Sequence, residues 1–359
     1  MKDRRLATLI AVIALAGAGC GGVAIAAPTP SPTAVLTAAA TATPAPTAKP
    51  APTPTEKPTI GVPADDGARI IGVAANTLGG TVPATRIKDI TIDSPAVGRT
   101  VQAQLLLPIG FDAHPETRWP VLYLLPGQSG GHLDWTNWSD VEKFTAPTKL
   151  LVVIPDAGAD DPGGSSYTDW WNGGKGGPRQ WETFHLVELR QLLERNWNAG
   201  DERAIAGVSA GGYGATEYAA RQPGLFLSAA SYSGVFDPLG NVVFWSPPHD
   251  VWGDPVAQAD IWKAHDPFLN AASLKGTGLY VAYGNGKPGP FDNGQPSPFD
   301  RSGAVEREVA AQSAAFVARL NELTIPVTVY AYGDGTHFGP YIERDFERSL
   351  PLILKALGL

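Results

Sequence analysis

Sulfur is almost missing from this sequence: 359 residues contain one Cys and one Met. A single Cys excludes a disulfide framework within the chain and any zinc site built on several thiolates. Basic charge is scarce too, with 27 Lys and Arg against 35 Asp and Glu and a net charge of −8. Residues 1–58 carry five of the basic and two of the acidic side chains, which leaves 22 against 33 for the rest. An acidic body without basic stripes argues against nucleic acid as a partner, because a phosphate backbone needs clustered Lys and Arg. Internal repeats are absent from the body as well.

Pro, Gly and Trp are plentiful, at 33, 41 and 10 residues. The length alone suggests two or three domains, but the Pro is concentrated. Ala27–Pro58 holds nine Pro, eight Thr and nine Ala in 32 residues, which leaves nothing to build a core. Residues 27–60 therefore read as an extended Pro/Thr/Ala linker or stalk. Before it, Lys2, Arg4 and Arg5 precede the apolar stretch Leu6–Ala18, an export signal over residues 1–26. Cys20 follows Gly17-Ala18-Gly19, which resembles a lipoprotein signal ending on a lipidated Cys. Ala24-Ile25-Ala26 offers the alternative of a soluble released form, and Leu6–Ala27 the length of an uncleaved anchor. Each of the three places the body outside the cytoplasm, with a membrane tether through Cys20 in the first.

The body, residues 61–359, alternates strand and helix patterns. Ile87–Ile92 and Val101–Leu105 alternate at period two and predict an antiparallel opening pair. The short continuous apolar runs at 120–125, 150–154, 204–206, 229–230, 279–283 and 327–332 predict buried parallel strands. Helical periodicity covers 182–196, 211–221, 305–323 and 342–357. The expectation is one α/β domain, a mostly parallel central sheet with helices on both faces. Reactive groups in such a sheet sit at the carboxyl ends of its strands.

Gly207-Val208-Ser209-Ala210-Gly211 lies where a short buried strand meets a helix. A G-x-S-x-G turn at that junction strains the Ser backbone and exposes its hydroxyl, making Ser209 the candidate nucleophile. The amide of Ala210, at the helix start, would face a developing oxyanion. A second donor is expected from Gln128, in the Gly-rich loop after the 120–125 strand. Of six His, His337 alone follows the last strand, in Gly333-Asp-Gly-Thr-His, and is the candidate base. The others read as plain surface or core residues. The acid must lie between Ser209 and His337; Asp292, Asp300, Glu306 and Glu308 are open, with Asp292 the default by its nearness to the strand end. Trp135, Trp138, Trp170 and Trp171 are candidates to line the cleft, with packing as the equal alternative.

Several motifs in order resemble one family: Gly164-Ser-Ser-Tyr-Thr-Asp-Trp170, Gln180-Trp-Glu-Thr-Phe184 with Glu188-Leu189, Gly207–Gly212, Ser233–Pro238, Tyr283-Gly-Asn-Gly286 and Gly335-Thr-His337. Over roughly 121–353 the chain resembles the antigen 85 mycolyltransferases and the wider esterase D-type α/β-hydrolases. The resemblance implies an α/β-hydrolase fold, a Ser-acid-His triad and acyl-ester chemistry without cofactor or metal. It maps the acid to Glu306, with Phe316 ten residues on in register, and the oxyanion amides to Gln128 and Ala210. The loop positions that hold trehalose in the mycolyltransferases correspond here to Pro126 and Ser129, and their Trp two residues after the base to Gly339; a trehalose site is therefore not implied. The resulting expectation is an exported serine esterase working through an acyl-enzyme on an acyl ester, with a cell-envelope lipid or glycan as a candidate substrate or acceptor. A feruloyl, acetyl or siderophore esterase is the alternative within the fold. A non-catalytic surface binding protein is the alternative of another class.

Overall fold

The computed structural model describes residues 67–78, 86–161, 164–173, 178–239, 249–292 and 301–359. The export signal, Cys20, the 27–60 linker and Asp300 lie outside the described residues. Nine strands form one sheet among them: β1 (Arg69–Ala75), β2 (Ile87–Ser94), β3 (Arg99–Leu106), β4 (Trp119–Leu125), β5 (Leu151–Pro155), β6 (Ala199–Val208), β7 (Ser228–Tyr232), β8 (Gly278–Tyr283) and β9 (Val327–Ala331), in the order β1-β2-β3-β5-β4-β6-β7-β8-β9. The first three strands and the β3–β5 junction are antiparallel, and every pair from β5 to β9 is parallel. This is the α/β-hydrolase arrangement that the alternation of patterns predicts. The edge strand β1 has no counterpart in the sequence reading. Its residues are exposed or half-buried, so no apolar alternation marks them, and its register slips between Ile70 and Gly72.

The continuous apolar runs from β4 to β8 follow from burial on both faces. The 327–332 run, expected to be buried too, forms the far edge strand β9, whose residues are mostly exposed or half-buried because no further strand among the described residues covers that edge. In β4, Val121, Tyr123 and Leu125 enter one core while Leu122 and Leu124 enter the other. Each fully buried side chain of this size is worth about 1.5–3 kcal/mol. Helices α1 (Asp134–Trp138), α2 (Val141–Thr145) and α9 (Gly339–Ala356) contribute Trp135, Val141, Ile342 and Phe346 to the second core. Helices α3 (Trp181–Thr183), α4 (Leu189–Asn196), α5 (Ala210–Arg221), α7 (Ala259–Ala264) and α8 (Arg301–Glu322) contribute to the first, as does Trp252 at the end of α6 (His249–Trp252).

The helix expected over 182–196 is interrupted. Between α3 and α4, Phe184–Glu188 form a π turn. There His185, fully buried, accepts from the Tyr218 hydroxyl on α5 and donates to the Asp156 carbonyl beyond β5, both at 2.8 Å. A widened turn of this kind accommodates an inserted residue and recurs at functional sites.

From β4 the chain crosses to β5 on one side and then returns past β4 to β6 on the other. The connections after β4 and β6 thus diverge, and a crevice opens at the carboxyl ends of those two strands.

Candidate active site

Ser209 stands at that crevice, between β6 and α5, with φ 57° and ψ −121°. This backbone is costly for a residue with a Cβ and persists only where its surroundings enforce it. The glycines explain how. A Cβ on Gly207 would overlap the Gly211 carbonyl, and one on Gly211 would overlap the Pro126 carbonyl. Small residues on both sides let strand, elbow and helix meet, and the Gly211–Pro126 approach sets the Gln128 loop beside the nucleophile turn. The Ser209 amide donates to the Tyr232 carbonyl at the end of β7 (3.0 Å), and its own carbonyl receives Tyr213 N–H (3.1 Å). Ala210 opens α5, so its amide belongs to the turn whose N–H groups have no carbonyl one turn back. The loop carrying Gln128 is tied down by neighbours: Tyr167 hydroxyl donates to the Pro126 carbonyl (2.5 Å), and Trp135 Nε1 to the Leu125 carbonyl (3.0 Å). Ser129 in this loop, and Ser166 and Tyr167 opposite it, all have positive φ.

His337 lies between β9 and α9, and its Nδ1 donates to Glu306 Oε2 at 2.9 Å. Glu306, on the first turns of α8, is fully buried. Its other oxygen, Oε1, accepts the Ser233 hydroxyl at 2.8 Å and the Gly284 amide at 2.7 Å, with the Tyr332 hydroxyl at 3.5 Å. A buried carboxylate needs such donors to offset desolvation. With Nδ1 committed to Glu306, Nε2 is left as the proton-accepting pole of the imidazole. Among the described acids left open by spacing, Glu306 is the one seen hydrogen-bonded to His337. Asp292 turns instead to Thr336, Tyr341 and Gly289. Glu308, two residues along α8, projects from a different side of the helix.

The sequence motifs contain Ser233 and Gly284, and Tyr332 ends the 327–332 run, but the sequence ties none of the three to Glu306. Ser233 and Gly284 each follow a strand end, β7 and β8, and Tyr332 follows β9; their position at the carboxyl edge is the signal that could have done so. A Cβ at Gly284 would stand 2.6 Å from the Gly335 carbonyl, so this Gly is required for the His337 loop to approach.

The four tryptophans separate. Trp135 is fully buried, ringed by Trp138, Tyr232 and Phe346, and belongs to the core under α9. Trp170 is buried as well, its Nε1 donating to the Ser165 carbonyl and Arg179 stacked on its ring. Both are packing residues, because their rings lie on the core side of their segments. Trp138 is half-buried and would meet a Cβ on Gly339, two residues from His337, at 3.4 Å. Trp171 is exposed.

Among the described residues, one group could hold a cation: Glu182, Glu217 and His265, all buried, with ligand atoms within 4.8 Å of one another. A cation is already there. Arg221 stands 3.1 Å from Glu182 and 3.0 Å from Glu217. Burial pushes the Glu217 carboxyl well above the usual carboxylate range, and holds the His265 imidazole near 4. The group is a buried ionic knot joining α3, α5 and the end of α7.

With this geometry in place, comparison with known proteins is direct. Residues 94–337 match the Esterase family. The chain belongs to it. Relatives include the esterase Rv1288 of Mycobacterium tuberculosis, 30% identical over 269 residues, which cover 69% of this chain and 55% of that protein. The diacylglycerol acyltransferase/mycolyltransferase Ag85B of Mycolicibacterium smegmatis is 25% identical, covering 80% of this chain and 91% of the relative. The chain spans about half the length of the esterases it matches. In fold it is similar to an S-formylglutathione hydrolase from Agrobacterium tumefaciens (TM-score 0.64, 18% identity, 81% of this chain and 100% of that one) and to Mycobacterium tuberculosis MPT51 (TM-score 0.58, 24% identity, 74% and 96%).

Proposed function

We propose that this esterase-family chain is an exported serine hydrolase that cleaves carboxylic esters through an acyl-enzyme. The observation that carries the reading is the Glu306–His337 hydrogen bond of 2.9 Å, presented on the loop after β9 in a sheet whose β6–α5 elbow holds a strained Ser209. In the reading, Ser209 Oγ attacks the ester carbonyl while His337 Nε2 takes its proton. The tetrahedral oxyanion is held by the amides of Gln128 and Ala210, each such donor contributing about 3–4 kcal/mol in comparable sites. Collapse expels the alcohol, which receives the proton from His337. Water, or a second hydroxyl compound, then attacks the acyl-enzyme with His337 again as base. Glu306 keeps the imidazole in the productive tautomer and stabilises its cation.

Transfer to a hydroxyl acceptor is the second reading, favoured by the likeness to a relative named for acyltransferase activity over nine-tenths of that relative's length. Pro126 and Ser129, in the loop that carries Gln128, offer no charged group to an acceptor. The finer proposal on location is export by residues 1–26, a lipid on Cys20 and a stalk over 27–60. No helix among the described residues is long and apolar enough to cross a membrane.

The test is turnover of p-nitrophenyl esters of graded acyl length, with and without sugar acceptors, together with labelling by a fluorophosphonate. Ser209→Ala is expected to lose the label and about 10⁴-fold or more of kcat. Unchanged labelling and turnover in that variant would sink the enzyme reading and favour a binding protein on a hydrolase scaffold.

A further inference from the structure

Asp292, the acid nearest to the end of β8, is buried, and among the described residues no Lys, Arg or His forms an ion pair with it. Three neutral donors converge on its carboxylate instead. Thr336 hydroxyl donates to Oδ1 at 2.6 Å; Tyr341 hydroxyl and Gly289 amide donate to Oδ2, each at 2.6 Å. Thr336 immediately precedes His337, and Tyr341 lies in the first turn of α9 just after it. We propose that Asp292 is a positioning residue of the esterase site: it clamps the chain on both sides of His337 to the loop after β8, and so holds the imidazole between Glu306 and Ser209. The inference rests on the roles proposed above for those three residues.

The choice of side chain supports the role. An ionised carboxylate is acceptor-only and can take all three donors, whereas an Asn offers one acceptor oxygen and would turn its NH₂ toward a donor. A buried carboxylate without a cation is costly unless every oxygen is hydrogen-bonded, and here both oxygens are. The clamp also reaches Glu306. The Tyr341 ring stacks on Tyr332 at 5.5 Å and 6°, and the Tyr332 hydroxyl stands 3.5 Å from Glu306. Burial and the Asp292 carboxylate push the Tyr341 hydroxyl above its ordinary range, which keeps it a donor. The loops meet closely enough only because two residues lack a Cβ. One on Gly289 would overlap the Asp334 carbonyl, and one on Gly335 would stand 2.5 Å from the Tyr332 ring. A displacement of a reacting group by about 1 Å can cost about 100-fold in rate, so such a clamp acts on kcat without touching substrate.

The experiment uses the full chain, with active sites titrated by a fluorophosphonate and p-nitrophenyl ester as substrate. Asp292→Asn is expected to lower kcat per titrated site about 10- to 100-fold with KM within about two-fold. Thr336→Val and Tyr341→Phe, which each remove one donor, give smaller losses and stand in if Asp292→Asn fails to fold. Adding Thr336→Val to Asp292→Asn costs little more, since both break one contact. Parental kcat and KM per titrated site, with only a lower Tm, would make the carboxylate a structural staple and overturn the inference. A loss equal to that of Ser209→Ala, with Glu306→Gln near the parent, would make Asp292 the acid and overturn it too. The reading of the site fails separately: turnover surviving in Ser209→Ala defeats that reading whatever Asp292→Asn does. Loss in Ser209→Ala and Glu306→Gln with a parental Asp292→Asn defeats the clamp alone.

Discussion

At the scale of single residues, the elbow and the acid carry the sharpest expectations. Gly207→Ala and Gly211→Ala each place a methyl on a backbone carbonyl of the same turn or of the Gln128 loop. Backbone cannot yield as a side-chain tip would, so overpacking of about 1–3 kcal/mol is expected, along with a misplaced Ser209. Thermal denaturation together with fluorophosphonate labelling should show a lowered Tm and slowed labelling in both variants. For the acid, Glu306→Gln keeps the shape but turns the Oε2 position into a donor or a neutral acceptor facing His337 Nδ1. By analogy with other triads, kcat should fall about 10³- to 10⁴-fold, while Glu308→Gln stays within about two-fold of the parent. Equal losses in both variants would contradict the assignment of Glu306. Spacing alone left this acid open because Asp292 is nearer to the strand end. The distinction is made by side-chain direction on α8, which brings Glu306 under the imidazole, and by the loop after β8, which turns Asp292 toward Thr336 and Tyr341.

At the scale of elements, the sequence patterns were read well where burial imposes a period and poorly where it does not. The strands from β2 to β8 are buried on one or both faces and leave alternating or continuous apolar runs, while β9 shows such a run although its residues are exposed or half-buried. The edge strand β1 leaves no such trace. The π turn was hidden for a different reason: Phe184–Glu188 keep helical periodicity on either side, and the insertion is visible only through what His185 reaches. That residue makes an acid-stability test. Burial holds its imidazole at about 4, below the unfolded value of about 6.5. Above about pH 6.5 both folded and unfolded chains keep it neutral, and its contribution is fully present. As pH falls toward 4, only the unfolded chain takes the proton, and stability is lost, by about 2 kcal/mol at pH 5. Asp266 and Asp345 are pushed up to about 7 by burial. They act in the opposite sense: between about pH 4 and 7 they favour the folded, protonated form as pH falls. The net curve of the parent is therefore a difference, and His185→Gln isolates one side of it. The drop in Tm from pH 7 to pH 5 should be smaller in His185→Gln than in the parent. An identical or larger drop would contradict a neutral buried His185.

At the scale of the whole molecule, the leader and stalk proposed for residues 1–60 would place the esterase body outside the cytoplasm. Cys20→Ala is expected to move the protein from the detergent phase to the aqueous phase on Triton X-114 partition of expressing cells, with ester turnover unchanged. Aqueous partition of the parent would favour release at Ala24-Ile25-Ala26 instead. By itself the sequence determined the class of fold and pointed to the candidate nucleophile turn and the candidate base. Each of these is local: an apolar run, a Gly-spaced turn at a strand end, and a His after the last strand. Which acid hydrogen-bonds to His337, and that Trp135 and Trp170 pack in the core, were decided by the tertiary structure. Those questions concern partners brought together by parallel pairing across β7, β8 and β9. Ser233, Gly284, Glu306 and His337 are scattered over 105 residues and come within hydrogen-bonding reach only because adjacent parallel strands end at one edge of the sheet.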